Sequence, residues 1–192
     1  MIILLIAIVA ILLYVGGFFN NLKTTQVRIG ASIQEIGNQL KRQADLIPNL
    51  VESAKSYLKH EKDIYKDLTD ARKSVDEAVS SNDLGKIEKS QKMVNKVLEG
   101  LKVIVESNPE LKSAEVITGL MDELRDTADK LMYSRRTLID LTADYNTAIS
   151  TIPGLWIAPL LGFQPEKGLS TPTSGKFLEV SENDTVTPKV NL

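Results

Sequence analysis

Residues 29–58 read IGASIQEIGNQLKRQADLIPNLVESAKSYL. Along them Ile29, Ile33, Ile36, Leu40, Ala44, Ile47, Val51, Ala54 and Leu58 advance by threes and fours, the spacing that keeps side chains on one stripe of an α-helix. Pro48 cannot donate to the carbonyl of Ala44, yet the stripe passes through it in phase, which predicts a bend and not an end. This helix A covers about 22–59. Working outward, Ile64, Leu68, Ala71, Val75 and Ala78 repeat the pattern as helix B. Ile87, Val94, Leu98, Leu101 and Val105 do so as helix C, and Val116, Leu120, Leu124, Leu131, Leu138, Leu141, Tyr145 and Ile149 as a long helix D. No run alternates apolar and polar residues between turn signals, so no sheet is expected. Each stripe is too narrow to be buried alone. The predicted fold is therefore all-α: an antiparallel four-helix bundle of long, coiled-coil-like helices over 22–151.

The breaks have local causes. Ser80-Ser81-Asn82-Asp83 supplies side chains that accept from the free amides at the start of helix C. Asn108-Pro109-Glu110 places a cap, then proline where its missing N–H costs nothing, then an acid at the positive dipole end. The A/B junction near His60 has neither Gly nor Pro, leaving open whether A and B are one helix or two.

N-terminal to the bundle the character changes. Of the first 19 residues 17 are apolar, and Gly16 and Gly17 are uncharged. At about 1.5 Å per residue they extend roughly 28 Å, close to the hydrocarbon thickness of a bilayer. A transmembrane anchor over 1–21 is expected. A signal peptide is disfavoured, for no basic stretch precedes the apolar run and no small-residue cleavage site follows it. Tyr14, Phe18 and Phe19 fall where interfacial aromatics belong, and Lys23 and Arg28 follow. The positive-inside rule then puts the body on the cytoplasmic side of a cell membrane and the N-terminus outside.

An even number of antiparallel helices returns the chain to the anchor. What stands there is the apolar segment 152–164, with Pro153-Gly154-Leu155-Trp156-Ile157-Ala158-Pro159-Leu160-Leu161-Gly162-Phe163 and the lone tryptophan. It is too short to span a bilayer. Two readings stay open: Trp156, Leu160, Leu161 and Phe163 dip into the membrane interface, or they close the end of the bundle. Residues 165–192 turn to Ser, Thr, Pro, Gly and mixed charge, and a flexible, disordered tail is expected there.

Composition limits the chemistry. The 192 residues carry 23 basic and 25 acidic side chains, net −2, without the basic excess of a nucleic-acid binder. There is no cysteine and one histidine, so thiolate chemistry and most metal or triad constellations cannot be assembled. No phosphate-binding glycine loop or dinucleotide fingerprint occurs. His60-Glu61 with Asp63 does not converge on a cation from neighbouring helical positions, and no metal is expected. Lys41-Arg42 with Asp45, and Arg135-Arg136 with Asp140, offer charge to anionic lipid or a partner; solvated pairs along one helix are the plainer reading. Around Pro48, between Asp45 and Glu52, Asn49 either satisfies a freed carbonyl or presents a docking notch, and the plain bend is preferred.

Gln39-Leu40-Lys41-Arg42-Gln43-Ala44-Asp45-Leu46-Ile47-Pro48-Asn49-Leu50-Val51-Glu52, followed by Lys55, Tyr57 and His60-Glu61, resembles the signature of the LemA family. Further matches follow in order: Ala71-Arg72, Asn108-Pro109-Glu110-Leu111-Lys112, Glu123-Leu124, Tyr145-Asn146, Pro153 and Gly162-Phe163. Ala31-Ser32-Ile33 stands where such proteins often carry a tryptophan, and the tail lacks the usual closing aromatics. The resemblance spans about 1–164 and implies a membrane-anchored antiparallel helical bundle without established catalysis, with membrane organisation as a role of some members. The motif residues Lys41, Arg42, Asp45, Pro48, Asn49, Glu52, His60 and Glu61 are the candidate partner surface. Tyr14, Phe18, Phe19, Trp156, Leu160, Leu161 and Phe163 are the candidate interface contacts. The expected function is a non-enzymatic scaffold or partner-binding protein at the cytoplasmic face of a bacterial membrane. The alternative is an auxiliary or regulatory subunit of a membrane enzyme such as a protease. Expected partners are membrane lipid, other proteins or a second copy; no cofactor, nucleic acid or small-molecule substrate is expected.

Overall fold

The computed structural model describes residues 1–56, 58 and 62–169. They form six helices: α1 (Ile2–Ser53), α2 (Lys62–Ser81), α3 (Leu84–Ser107), α4 (Pro109–Ser113), α5 (Glu115–Ser150) and α6 (Gly154–Leu160), with no strand among the described residues. The fold is all-α, as the stripes predict.

The apolar segment and helix A are one helix. Nothing between Phe19 and Leu22 stops it, for Asn20, Asn21 and Lys23 merely trade apolar for polar side chains on a backbone that stays helical. At about 1.5 Å per residue α1 is roughly 78 Å long. Its apolar N-terminal portion makes it long and apolar enough to cross a membrane, and the most apolar window has no residue buried against the rest of the protein. At the other end α1 stops at Ser53, short of the expected 59, and Ala54–Ser56 form a turn. The turn keeps Ala54 and Leu58 in the core although neither is in the helix. Pro48 lies inside α1, which continues for another turn and more beyond it. The A/B junction is therefore a break; Tyr57, Lys59, His60 and Glu61 within it lie outside the described residues.

Cross-helix contacts fix the antiparallel order. Lys41 faces Asp76 and Asp45 faces Arg72 between α1 and α2. The hydroxyls of Ser74 and Ser90 meet at 2.9 Å between α2 and α3, where Lys96 also reaches Asp67. Between α1 and α5, Gln26 meets Tyr145 and Arg42 meets Glu123. The α2–α3 turn is built as expected: Asn82 takes a positive φ of 50°, and the Asp83 carboxylate accepts from the amide of Lys86 at 2.9 Å.

The long α1/α5 contact has a seven-residue repeat of buried positions: Leu22, Ile29, Ile36 and Gln43 on α1, and Ile117, Leu124, Leu131, Leu138 and Tyr145 on α5. That spacing keeps one seam of each helix facing the other over a long distance. Where α2 and α3 also pack on α1 the buried stripe widens to Leu40, Ala44, Ile47, Leu50 and Val51. The α2–α3 turn reaches α1 at Gly37, with Val79 Cγ2 3.4 Å from where a Cβ at Gly37 would stand. The four long helices thus pack together only in the half of the body away from the apolar segment.

Three expectations shift by small steps. Helix D does not continue from Pro109: α4 ends at Ser113, Ala114 is extended, and α5 starts at Glu115. Val116, assigned to the core stripe, is 65% exposed while Ile117 is buried, because the α5 seam takes the next apolar residue. Asn108 precedes Pro109 as expected, but its side-chain amide turns back to the carbonyl of Ile104 and finishes α3 instead of capping α4.

Candidate functional site

The richest local geometry lies where α5 returns to the end of the apolar segment. Thr151–Pro153 turn the chain, with a cis Ile152–Pro153 peptide, into α6. Gly154 is required by space: a Cβ there would stand 1.8 Å from the carbonyl oxygen of Ala148 and 3.0 Å from Phe18 Cζ. Gly162 then adopts φ +79°, the left-handed region natural to glycine at a helix end. The turn delivers Phe163 onto Phe19, ring centroids 5.4 Å apart and tilted by 55°. Tyr14 and Phe18 stack one turn apart on α1 at 6.5 Å.

Residues 164–169 then run as a strap over the α1/α5 pair. Tyr145, 1% exposed, accepts from the Gln26 amide at 3.3 Å and donates to the carbonyl of Gln164 at 3.0 Å. Asn146 makes a two-way bond with the Glu166 backbone, donating to its carbonyl and accepting from its amide, both at 2.9 Å. Gln26 also donates to the Glu166 carboxylate at 2.9 Å. Burial of the phenol raises the Tyr145 pKa above its ordinary value; the nearby Glu166 charge adds to this and the bond from Gln26 opposes it. Leu169 ends the strap buried. Residues 165–169, expected as the start of a flexible tail, are thus held in place by the bonds to Gln164 and Glu166 and by the burial of Leu169; the rest of that expected tail, 170–192, lies outside the described residues.

The interface candidates divide by face. Trp156, Leu160, Leu155 and Ile152 are 63%, 87%, 50% and 68% exposed. Gly154, Ala158 and Phe163 are buried, and Leu161 is half-buried against the core. Leu161 and Phe163 thus close the bundle, as the second reading expects, while Trp156 and Leu160 project from it into the surroundings. The cause is helical spacing, since 152, 155, 156, 159 and 160 share one face of the turn and 154, 158 and 161 the other. Tyr14 and Phe19 are exposed and Phe18 is half-buried.

The family-motif residues on α1 are committed differently. Lys41, Arg42 and Asp45 do not pair along their own helix; each pairs across, to Asp76 at 3.7 Å, Glu123 at 2.7 Å and Arg72 at 3.5 Å, because α2 and α5 bring opposite charges closer than the next turn does. The hydrogen bond to Glu123, reinforced by its charge, raises the Arg42 pKa. Glu52 pairs locally with Lys55 at 2.9 Å. Pro48 is half-buried in a groove against Leu68, Thr69 and Arg72 of α2. Exposed Asn49 accepts from the Ser53 hydroxyl through its carbonyl. Arg136 pairs with Asp140 as expected, at 4.0 Å, but Arg135 hydrogen-bonds Gln91 of α3. His60 and Glu61 lie outside the described residues. Sequence reasoning missed Gln26, Gly154 and Glu166 as contact residues; it placed Tyr145 on the helix D stripe but without its hydrogen bonds, and Asn146 and Gly162 were visible only as motif residues.

A second surface lies on the α1/α5 pair beyond the α2–α3 turn. A groove of about 290 Å³ is lined there by Arg28, Ser32 and Glu35 of α1 and Tyr133, Thr137 and Leu141 of α5. Tyr133 is 73% exposed.

No curated protein matches the chain. The sequence model of the LemA family matches residues 32–190, from the proximal part of α1 through the bundle, α6 and the strap. The chain belongs to the LemA family.

Proposed function

We propose that this protein is a single-pass membrane protein whose helical body is a non-enzymatic scaffold that binds protein partners at the cytoplasmic face of a bacterial membrane. The observation that carries the reading is the continuity of α1 from its apolar segment into the core of the body. A body joined to an anchor by unbroken helix is held upright near the bilayer, and its α1/α5 groove is presented at a fixed height. Lys23 and Arg28, just past the aromatic exit, support the cytoplasmic orientation. The family's link with membrane organisation, implied by the resemblance, agrees with an anchored rod.

The test is photocrosslinking in native membranes from Tyr133, in the open groove, with Lys102 on α3 as a comparison site, followed by mass spectrometry. A recurrent protein adduct or a second copy at 133 and not at 102 supports the scaffold. A single stoichiometric membrane enzyme supports the subunit reading in its place. Absence of protein adducts from a set of sites covering the body overturns partner binding. A cysteine at Ser81 tests orientation in this cysteine-free chain: labelling by an impermeant maleimide in intact cells reverses it.

A further inference from the structure

We infer that α6 is a second membrane contact: a short helix lying in the lipid interface beside the exit of α1, with Ile152, Leu155, Trp156 and Leu160 as the inserted face. The inference rests on the anchor reading above and adds a lipid-binding surface to it.

Three observations point to lipid as the occupant. The first is composition by face. Every side chain on the outward face of the turn from 152 to 160 is apolar: Ile152, Leu155, Trp156, Pro159 and Leu160. All are exposed, while the rest of the segment is packed inward. Exposed patches of large apolar side chains on a soluble surface mark a docking site. The second is height. Gly154 sits against Phe18 and Phe163 against Phe19, so α6 is level with the last apolar turn of α1, before Asn20, Asn21 and Lys23. A bilayer spanned by the apolar segment has its headgroup boundary at that level, and an indole with an apolar body and an N–H edge is suited to it. The third is continuity. The exposed apolar surface of α1 runs from Ile2 to Phe19, and the α6 face extends it sideways at its lower edge. A protein partner covering α6 would have to occupy the rim of the span itself.

The strap gives this contact a fixed geometry. Gly154 packed against Ala148 and Phe18 fixes the start of α6, and Phe163 on Phe19 with the bonds of Tyr145 and Asn146 to 164–166 fixes its end. The helix therefore enters the interface preformed, without ordering a loop first. The body is then attached at two points, which restricts its rotation about the α1 axis.

Trp156 is the only tryptophan, so the full chain carries its own probe. It is reconstituted in vesicles of phosphatidylcholine and phosphatidylglycerol, with bromines near the headgroup end of the acyl chains, near their termini, or absent. The expected result is blue-shifted emission and loss of about half of it or more with the shallow bromines, less with the deep ones, as for a side chain seated about 5–10 Å into the headgroup–acyl boundary. Leu160→Asp, which changes an exposed residue outside the core, is expected to abolish most of this quenching with helicity unchanged. Emission quenched by aqueous iodide and not by brominated lipid overturns the inference. Emission insensitive to both means that a second copy or another protein covers the face, and overturns it equally. Vesicle flotation separates this outcome from failure of the anchor: a chain that floats with the vesicles while Trp156 stays in water refutes α6 alone, whereas a chain that does not float refutes the anchor reading.

Discussion

Gly154→Ala probes the junction of α5 and α6 most sharply. The new methyl would lie 1.8 Å from the Ala148 carbonyl oxygen, against about 3.5 Å for a comfortable contact. Both partners are fixed to backbone, so no rotamer change relieves the overlap, and α6 has to move from the end of α5 by more than about 1 Å. Overpacking of this kind costs about 1–3 kcal/mol. The displaced segment also loosens Phe163 on Phe19, an aromatic contact worth about 0.5–1.5 kcal/mol. Taking about 3 kcal/mol for the sum, the melting temperature of a chain this long falls by about 6–12 °C. The assay is thermal unfolding of the full chain in lipid nanodiscs, followed by circular dichroism, with hydrogen exchange across 152–169. Gly100→Ala is the control: nothing lies within 4 Å of a Cβ there, inside α3, and the gain in helix propensity of about 1 kcal/mol raises the melting temperature by about 2–4 °C. A Gly154→Ala protein that melts with the parent and exchanges no faster at 152–169 refutes the close approach of α6 to α5.

Other perturbations separate the strap from the seam. Gly162→Ala forces a Cβ into φ +79°, costs about 1–2 kcal/mol, and should speed exchange at Phe163–Leu169 while leaving α2 and α3 protected. The raised Tyr145 pKa means that the folded state holds the neutral phenol more firmly than the unfolded chain does. Its stabilisation is therefore complete below the ordinary phenol pKa of about 10 and is lost as pH rises through and beyond it. Tyr145→Phe should be less stable at neutral pH by about 0.5–1.5 kcal/mol, the net worth of the hydrogen bond to the carbonyl of exposed Gln164, and should show a smaller alkaline loss than the parent in urea titrations across that range. Gln43 is 1% exposed in the α1 seam and its Oε1 has no hydrogen-bond partner. Gln43→Leu should stabilise by about 1 kcal/mol in denaturant unfolding, since an unsatisfied buried acceptor is replaced by apolar surface of similar size; destabilisation would mean that the amide is satisfied in the folded protein.

Much of the fold was legible because burial follows helical period. Leu40, Ala44, Ile47, Val51, Val75, Val94, Leu101, Leu131 and Leu138 all lie in the core as their spacing predicts. The return of helix D to the end of the apolar segment followed from counting antiparallel helices. Register inside an apolar pair was not legible: Val116 and Ile117 suit a seam equally, and only the partner helix selects Ile117. Nor were the ion pairs of Lys41, Arg42 and Asp45, whose nearest opposite charges in space are remote in sequence. The strap was read as tail because it is held by Gln26, Tyr145 and Asn146 through hydrogen bonds to backbone and a carboxylate, interactions without an apolar signature. The division of 152–163 into inward and outward faces required its helix to be placed against Phe18 and Phe19.

The most direct test of the account is a nitroxide scan along α1, one cysteine at a time from Ile6 to Ser32 in this cysteine-free chain, reconstituted in lipid and measured for oxygen and aqueous nickel accessibility. The account predicts oxygen-rich, nickel-poor signals through Gly17, with lower oxygen access at Phe18 and Phe19 where α6 and Phe163 pack on them, then a crossover at Asn20–Lys23. Beyond it, accessibility should alternate with helical period and be lowest at Leu22 and Ile29, with no break in helix between the two regimes. A helical alternation of nickel accessibility within residues 6–19 would contradict it, for that segment would then be packed against protein or lying at a water surface and not spanning a bilayer.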